Sequence, residues 1–194
     1  MKKFLLIILF LNIPLFATSQ NIFIIKNSDG TVVKGKKVTH KKNQYFNDLI
    51  KEQQELLTKL KKIKAKRNGR ISQILNNAKE HLGGKYVWGG TQPKGFDCSG
   101  YVQYLYKKEG MAIPRTALAQ SKVGLPVNRN ELKKGDLLFF LTDKKRNIPI
   151  THVGMYIGND KFIHAASKKK GIIISSLSKS KYNRIYVKAK RIIK

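Results

Sequence analysis

A single cysteine, Cys98, stands in a chain of 194 residues, so no intramolecular disulfide framework holds the fold. At this length a domain buries enough apolar surface to need neither disulfides nor a structural metal. Acidic side chains are scarce as well: 11 Asp and Glu face 40 Lys and Arg, giving a net charge of +29. A field of that sign draws the protein towards polyanions. Also missing is an apolar run of the ~20 residues that a membrane-spanning helix needs. The stretch from Phe4 to Phe16 falls short of that and is interrupted by Asn12 and Pro14. No internal repeat is present.

What is present at the start is an export signature. Lys2 and Lys3 precede the apolar run, and Ala17-Thr18-Ser19 offers small residues at the spacing that signal peptidase accepts. Residues 1–19 are read as a signal peptide cleaved before Gln20, which makes the protein periplasmic or secreted. No cysteine follows the cleavage region, which argues against a lipid-anchored form. Removal of Lys2 and Lys3 takes the charge from +29 to +27. The partner expected from charge is an anionic cell-wall or membrane surface, with no specific nucleic acid, and the chain is expected to act as a monomer. In an oxidising compartment an unpaired cysteine points to a free, reactive thiol; a buried, inert thiol is the alternative.

Residues 20–69 form a basic extension unlike the rest. A short β-like pair, Ile22 to Ile25 and Thr31 to Val33, flanks the turn signal Ser28-Asp29-Gly30. From Phe46 the apolar positions Leu49, Ile50, Leu56, Leu57, Leu60 and Ile63 recur at three- and four-residue steps, an amphipathic helix with a lysine-covered outer face. Such a face ordinarily packs on its own domain; a helical partner or a membrane surface is the alternative. A second helix is predicted over 70–81, with Gly83-Gly84 as its stop. A loop carries Lys85 to Asp97, a third helix runs from about Cys98 to Gly110, and a short one covers about 116–122. After Leu125-Pro126 the pattern turns to strands, at 136–141, 152–157, 161–165, 171–175 and 185–191. Helices first and strands afterwards describe an α+β domain over 70–194, with N-terminal helices packed on an antiparallel sheet of about five strands.

A cysteine at a helix start faces unpaired backbone N–H groups and the positive end of the helix dipole, which favours its thiolate. In Asp97-Cys98-Ser99-Gly100, Asp97 can cap the helix, while Gly95 and Gly100 let other backbone approach the sulfur. The same N–H groups suit an oxyanion formed when a thiolate adds to a carbonyl. A nucleophilic thiol needs a base within hydrogen-bond reach. Four histidines are available; His40 in the basic extension and His81 at a helix end read as structural. His152 and His164 flank the turn signal Gly158-Asn159-Asp160. Pairing Ile157 with Lys161 sets Val153 opposite Ala165 and Met155 opposite Ile163, with every apolar side chain on one face. His152 and His164 then lie diagonally on the other face, roughly 7–8 Å apart at Cα. A one-residue slip would separate them. The roles that follow are Cys98 as nucleophile, His152 as base and His164 as the group orienting that base; exchange of the two histidines is the alternative.

Five segments together carry a resemblance: Tyr86-Val87-Trp88-Gly89-Gly90, Gly95-Phe96-Asp97-Cys98-Ser99-Gly100, Gly135-Asp136-Leu137-Leu138-Phe139-Phe140, His152-Val153-Gly154-Met155-Tyr156-Ile157-Gly158 and Phe162-Ile163-His164-Ala165. In this order they resemble the NlpC-type peptidases (the NlpC/p-sixty family), over about 70–191. The resemblance implies a papain-like α+β fold and a cysteine peptidase that hydrolyses peptidoglycan stem peptides, commonly between D-γ-glutamyl and a diamino acid. It implies Cys98, His152 and His164 as the catalytic three, Tyr86 lining the site, and Asp97 with Ser99 binding the free amine of an N-terminal L-alanine. Arg115 is a candidate for meeting a substrate carboxylate; Trp88 and Phe96 read as packing. Wall-binding repeats found in many relatives are not evident, so wall targeting would rest on the charge of residues 20–69.

Two other function classes fit parts of the pattern. One keeps the fold and acts as an amidase or acyl transferase on lipid or protein; the other is a non-catalytic anion- or wall-binding protein. A Cys-His-His zinc site is disfavoured, because metal sites usually place two ligands within a few residues. Neither a metal nor any other cofactor is expected.

Overall fold

The apolar periodicity between residues 46 and 82 resolves into one helix where the sequence suggests two. The computed structural model of the protein describes residues 25–26, 32–33 and 41–193. The predicted signal peptide and His40 lie outside the described residues. Strands β1 (Ile25–Lys26) and β2 (Val32–Val33) pair antiparallel, Ile25 opposite Val33; residues 22–24 and 28–31 of the predicted pair and its turn lie outside the described residues. Helix α1 runs unbroken over Lys41–Glu80 and crosses position 69, where the sequence suggests a boundary. Gly69 costs a helix interior about 1 kcal/mol relative to alanine, too little to end it against favourable neighbours on both sides. The chain divides into two compact units, residues 1–55 and 56–194, with the boundary inside this helix.

The apolar stripe of the helix behaves differently along its length. Ile74, Leu75 and Ala78 are buried, as expected. Leu56, Leu57, Leu60 and Ile63 are exposed, as are Phe46, Leu49 and Ile50. The expectation that this face packs on its own domain is corrected: those side chains stand in solvent. No helix among the described residues is long and apolar enough to cross a membrane.

After α1, β3 (Thr91–Gln92) and β4 (Gly95–Phe96) form a small hairpin that leads into α2 (Cys98–Lys108). A single turn, α3 (Ala117–Gln120), is capped by the Thr116 hydroxyl. The sheet contains β5 (Leu125–Val127), β6 (Leu137–Phe140), β7 (His152–Gly158), β8 (Lys161–Ser167), β9 (Gly171–Ser176) and, after the short α4 (Tyr182–Ile185), β10 (Tyr186–Arg191). All neighbours are antiparallel, in the order β5-β10-β6-β7-β8-β9. Five strands match the predicted ones to within two residues at each end. The sixth, β5, carries Pro126, whose missing N–H is tolerated because the strand sits at an edge.

Alternation along the central strands gives the sheet two apolar faces. Leu137, Phe139, Val153, Met155, Ile163 and Ala165 pack with Ile74 and Ala78 of α1 and with Tyr101, Val102 and Leu105 of α2. On the other face Leu138, Phe140 and Phe162 pack with Leu177 and Tyr182. The β7–β8 hairpin has the expected register at Met155 opposite Ile163 and Tyr156 opposite Phe162; the expected Ile157–Lys161 pair is corrected, because a bulge before the turn sets Gly158 opposite Lys161 instead. Asn159 and Asp160 both take positive φ, the geometry of a two-residue hairpin turn. Domain architecture is therefore α+β, with helices against an antiparallel sheet.

Candidate active site

Asp97 is the N-cap of α2 and makes Cys98 the first helical residue. Its carboxylate accepts the Gly100 N–H at 2.6 Å and the Gly89 N–H at 3.0 Å. Ser99 donates its hydroxyl to the same group at 3.3 Å. Arg115 adds a two-pronged pair through Nη1 at 3.0 Å and Nη2 at 2.5 Å, and Nη1 also meets Ser99 Oγ at 3.0 Å. Five donors on one carboxylate occupy its acceptor positions. The helix start is tied down further by Gln120, fully buried, whose Nε2 donates to the carbonyls of Ser99 and Pro114. Gly100 permits this crowding, since a Cβ there would stand 2.1 Å from the Gly90 carbonyl oxygen.

Cys98 is 8% exposed and opens into a cleft of about 430 Å³ whose wall includes Tyr86, Trp88, Asp97, Ser99, Arg115 and Arg146. Tyr86, Asp97, Ser99 and Arg115, the four expected substrate-contacting residues, are thus brought together around the thiol. Arg115 is not a free cation, because Asp97 holds both its terminal nitrogens. Phe96 is core, packed edge-on to His81 and tilted against Tyr101 and Tyr104. Trp88, read from the sequence as packing, is 66% exposed on the cleft wall.

The thiol experiences two opposed effects. Burial, and then the Asp97 charge, push it up to about 11, while backbone N–H groups of Val153, Ser99 and Cys98 itself pull it down. The helix-start contribution expected from the sequence is present, and burial outweighs it. Val153 follows His152 on β7, so the strand that carries the histidine meets the sulfur through its backbone.

His152 Nε2 and His164 Nδ1 are 2.7 Å apart, and His164 Nε2 is 3.0 Å from Ser175 Oγ. The pairing pattern explains the contact. Met155 opposite Ile163 places Gly154 across from His164, and a side chain at 154 would collide with Phe162 at 2.6 Å and with the His164 Cβ at 3.1 Å. Glycine there leaves room for the diagonal approach. Two tautomer sets satisfy the chain, and the one that suits catalysis has His152 Nε2–H donating to His164 Nδ1 and His164 Nε2–H donating to Ser175 Oγ. That set leaves His152 Nδ1 as an acceptor without a partner, the form a base requires.

Burial, with the Lys181 charge, lowers His152 to about 4. His164 is lowered as well, by burial and then by His152. Tyr182 stacks on His152 at 6.1 Å and lies edge-on to His164 at 4.9 Å, completing the apolar wall behind the pair. Thiol and imidazoles are each held neutral by the same dry surroundings. Formed together, a thiolate and an imidazolium would attract each other, so proton transfer between them is a paired event. Among the described residues no cluster of three or more His, Cys, Asp or Glu is arranged to hold a metal ion.

Ser175, Tyr182, Gln120 and Arg146 are site residues that the sequence did not single out. Ser175 was within reach of strand-register reasoning, because extending the register to β9 sets His164 opposite Ile173 and Ser175 on the same face. The others depend on contacts between distant segments.

The NlpC/P60 family model matches residues 83–191, more than half of the chain. A curated relative from Bacillus cereus, named gamma-D-glutamyl-L-lysine dipeptidyl-peptidase, is 39% identical over 118 residues, 61% of this chain and 35% of the relative. One from Escherichia coli, murein DD-endopeptidase MepH, is 41% identical over 134 residues, 67% of this chain and 49% of the relative. The crystal structure of an NlpC/P60 family protein from Bacillus cereus superposes with a TM-score of 0.60 at 37% identity, covering 64% of this chain and 40% of that one. The chain thus spans between a third and a half of the length of these relatives.

Proposed function

The chain belongs to the NlpC/P60 family, and we propose that it is an exported cysteine endopeptidase that hydrolyses peptide bonds in peptidoglycan stem peptides. The two curated relatives are named for action on gamma-D-glutamyl-L-lysine and on murein, which supports that substrate class. Of the bonds those names specify, D-γ-glutamyl to a diamino acid is the one proposed here. The observation that carries the reading is the 2.7 Å His152–His164 contact on the strand whose next backbone N–H bonds the thiol of Cys98.

The steps follow from that arrangement. Cys98 Sγ adds to the scissile carbonyl carbon while its proton passes to His152 Nδ1. Backbone N–H groups at the start of α2 stabilise the oxyanion. Collapse of the tetrahedral species breaks the C–N bond, and His152 returns the proton to the departing amine. A thioester on Cys98 is left. Water, deprotonated by His152, attacks the thioester, releases the carboxylate product and restores the thiol. His164, hydrogen-bonded to Ser175, engages His152 Nε2, so Nδ1 is the nitrogen left to take the proton.

Asp97 is assigned to shaping this site and to compensating Arg115, since its oxygens are already occupied; Tyr86, with the one acceptor position left on the Ser99 hydroxyl, remains as a contact for the substrate's amino-terminal end. Digestion of purified sacculi, with fragments identified by mass spectrometry, tests the proposal. The expected products end in D-glutamate with a new amino terminus on the diamino acid. Sacculi left intact, or fragments cut only in the glycan, would overturn it.

A further inference from the structure

The cleft contains three charged side chains, and two of them cancel. Asp97 and Arg115 form a bidentate pair, which leaves Arg146 as the uncompensated charge on the wall. No hydrogen bond or ion pair among the described residues engages its side chain. Its guanidinium instead lies over the indole of Trp88, 5.1 Å from the ring centroid. A guanidinium resting on an aromatic face keeps its in-plane N–H donors available for a planar, two-oxygen acceptor.

The loop that presents Arg146 is braced. Thr151 Oγ1 accepts the backbone N–H groups of Thr142 (2.8 Å) and Asp143 (3.1 Å), closing the loop at its base. Asp143 Oδ1 accepts the Lys145 N–H at 3.0 Å and starts a single 3-10 turn over Lys144–Arg146. Asn147 ends the turn with φ of 50°, and Ile150 is buried beneath it. Arg146 itself is exposed; the braced turn beneath it and the indole beside it reduce the freedom it loses on binding, the condition for a selective contact.

From these features we propose that Trp88 and Arg146 form a carboxylate-binding subsite of the cleft, rather than Arg115, and that it selects stem peptides bearing a free carboxylate beside the scissile bond. The subsite rests on the peptidase reading for the identity of its ligand. Two carboxylates meet the description: the α-carboxylate that a γ-linked D-glutamate leaves free, and the second carboxylate of a diaminopimelate. Both are planar anions suited to a bidentate guanidinium.

Binding to Cys98→Ala protein, measured calorimetrically, tests the subsite apart from turnover. Three peptides, each closed by a C-terminal amide so that the diamino acid's own α-carboxylate is not a third candidate, are compared: L-Ala-γ-D-Glu-L-Lys, its α-amide at the glutamyl residue, and the version with diaminopimelate in place of lysine. The expected result is that amidation weakens binding about tenfold or more if the glutamyl carboxylate is the ligand. If the ligand is the diaminopimelate carboxylate, the diaminopimelate peptide binds tighter than the lysine peptide by the same factor. Adding Arg146→Gln abolishes whichever preference is seen, Arg146→Lys restores only part of it, and Lys145→Gln on the same loop leaves it intact. Equal binding of all three peptides, or a preference that survives Arg146→Gln, overturns the subsite. Cleavage by the wild-type chain is read separately: peptides that bind selectively but are never cut contradict the peptidase reading and leave the subsite standing.

Discussion

Each imidazole of the His152–His164 pair is neutral because its surroundings are apolar, and that has a measurable sign. In the unfolded chain a histidine takes up its proton near pH 6.5, whereas burial lowers folded His152 to about 4. Between those values the unfolded state binds a proton that the folded state refuses, so stability falls as pH falls through that window. The slope is at most about 1.4 kcal/mol per pH unit for each histidine. Urea midpoints taken across the range should show that decline, and His152→Phe should make it shallower while the His164 share remains. Activity should likewise persist in acid until about pH 4, where the base becomes protonated; an acid limb near 6.5 would show that the imidazole is solvated. Gly154 supplies a second test. Alanine there meets Phe162 and the His164 Cβ, so Gly154→Ala should cost about 1–3 kcal/mol of stability and lower kcat about tenfold or more, with KM little changed. His164→Ala should lower kcat about 100-fold, and Ser175→Ala by less, because Ser175 acts only through His164. The histidine pairing was legible in the sequence, since one hairpin register put all apolar residues on one face. The Asp97–Arg115 pair was not: eighteen residues separate the partners, and no periodicity links a helix cap to a loop. Arg146 was hidden for the same reason.

At the scale of elements, what could be read was what alternates or recurs. β6 to β10 and α2 follow period-two and period-3.6 patterns closely, and some of their ends fall where glycine or a capping residue stands, as at Asp97, Gly158 and Gly171. The merged α1 shows the limit of reading a glycine as a stop. A Cβ added at Gly69 would meet no atom within 4 Å, and the position sits in helical backbone. Gly69→Ala should therefore stabilise the helix, by up to about 1 kcal/mol, read as a rise in helical ellipticity and a later urea midpoint. A loss of stability would mean that the backbone at 69 is not helical in solution. The three-residue β5 escaped because Pro126 reads as a break, although an edge strand accepts it. The exposed stripe from Phe46 to Ile63 could not have been anticipated, because periodicity reports that a face is apolar and says nothing of what covers it.

For the whole molecule the dominant quantity is charge. An excess of 29 positive charges in the full sequence would draw the protein towards an anionic surface, and such an attraction is screened over about 10 Å at 0.1 M salt. Association of Cys98→Ala protein with sacculi should weaken steeply as salt is raised, and binding unchanged at high salt would remove charge as the means of wall targeting. The central claim, however, is that one thiol on this domain carries the chemistry. The most direct measurement is the initial rate of cleavage of a stem peptide by the wild-type chain, Cys98→Ala, His152→Ala and the double variant. Residues acting as one unit should each cost at least about 1,000-fold, with the double variant no worse than either single one. Cys98→Ala turning over within about tenfold of wild type would contradict the account.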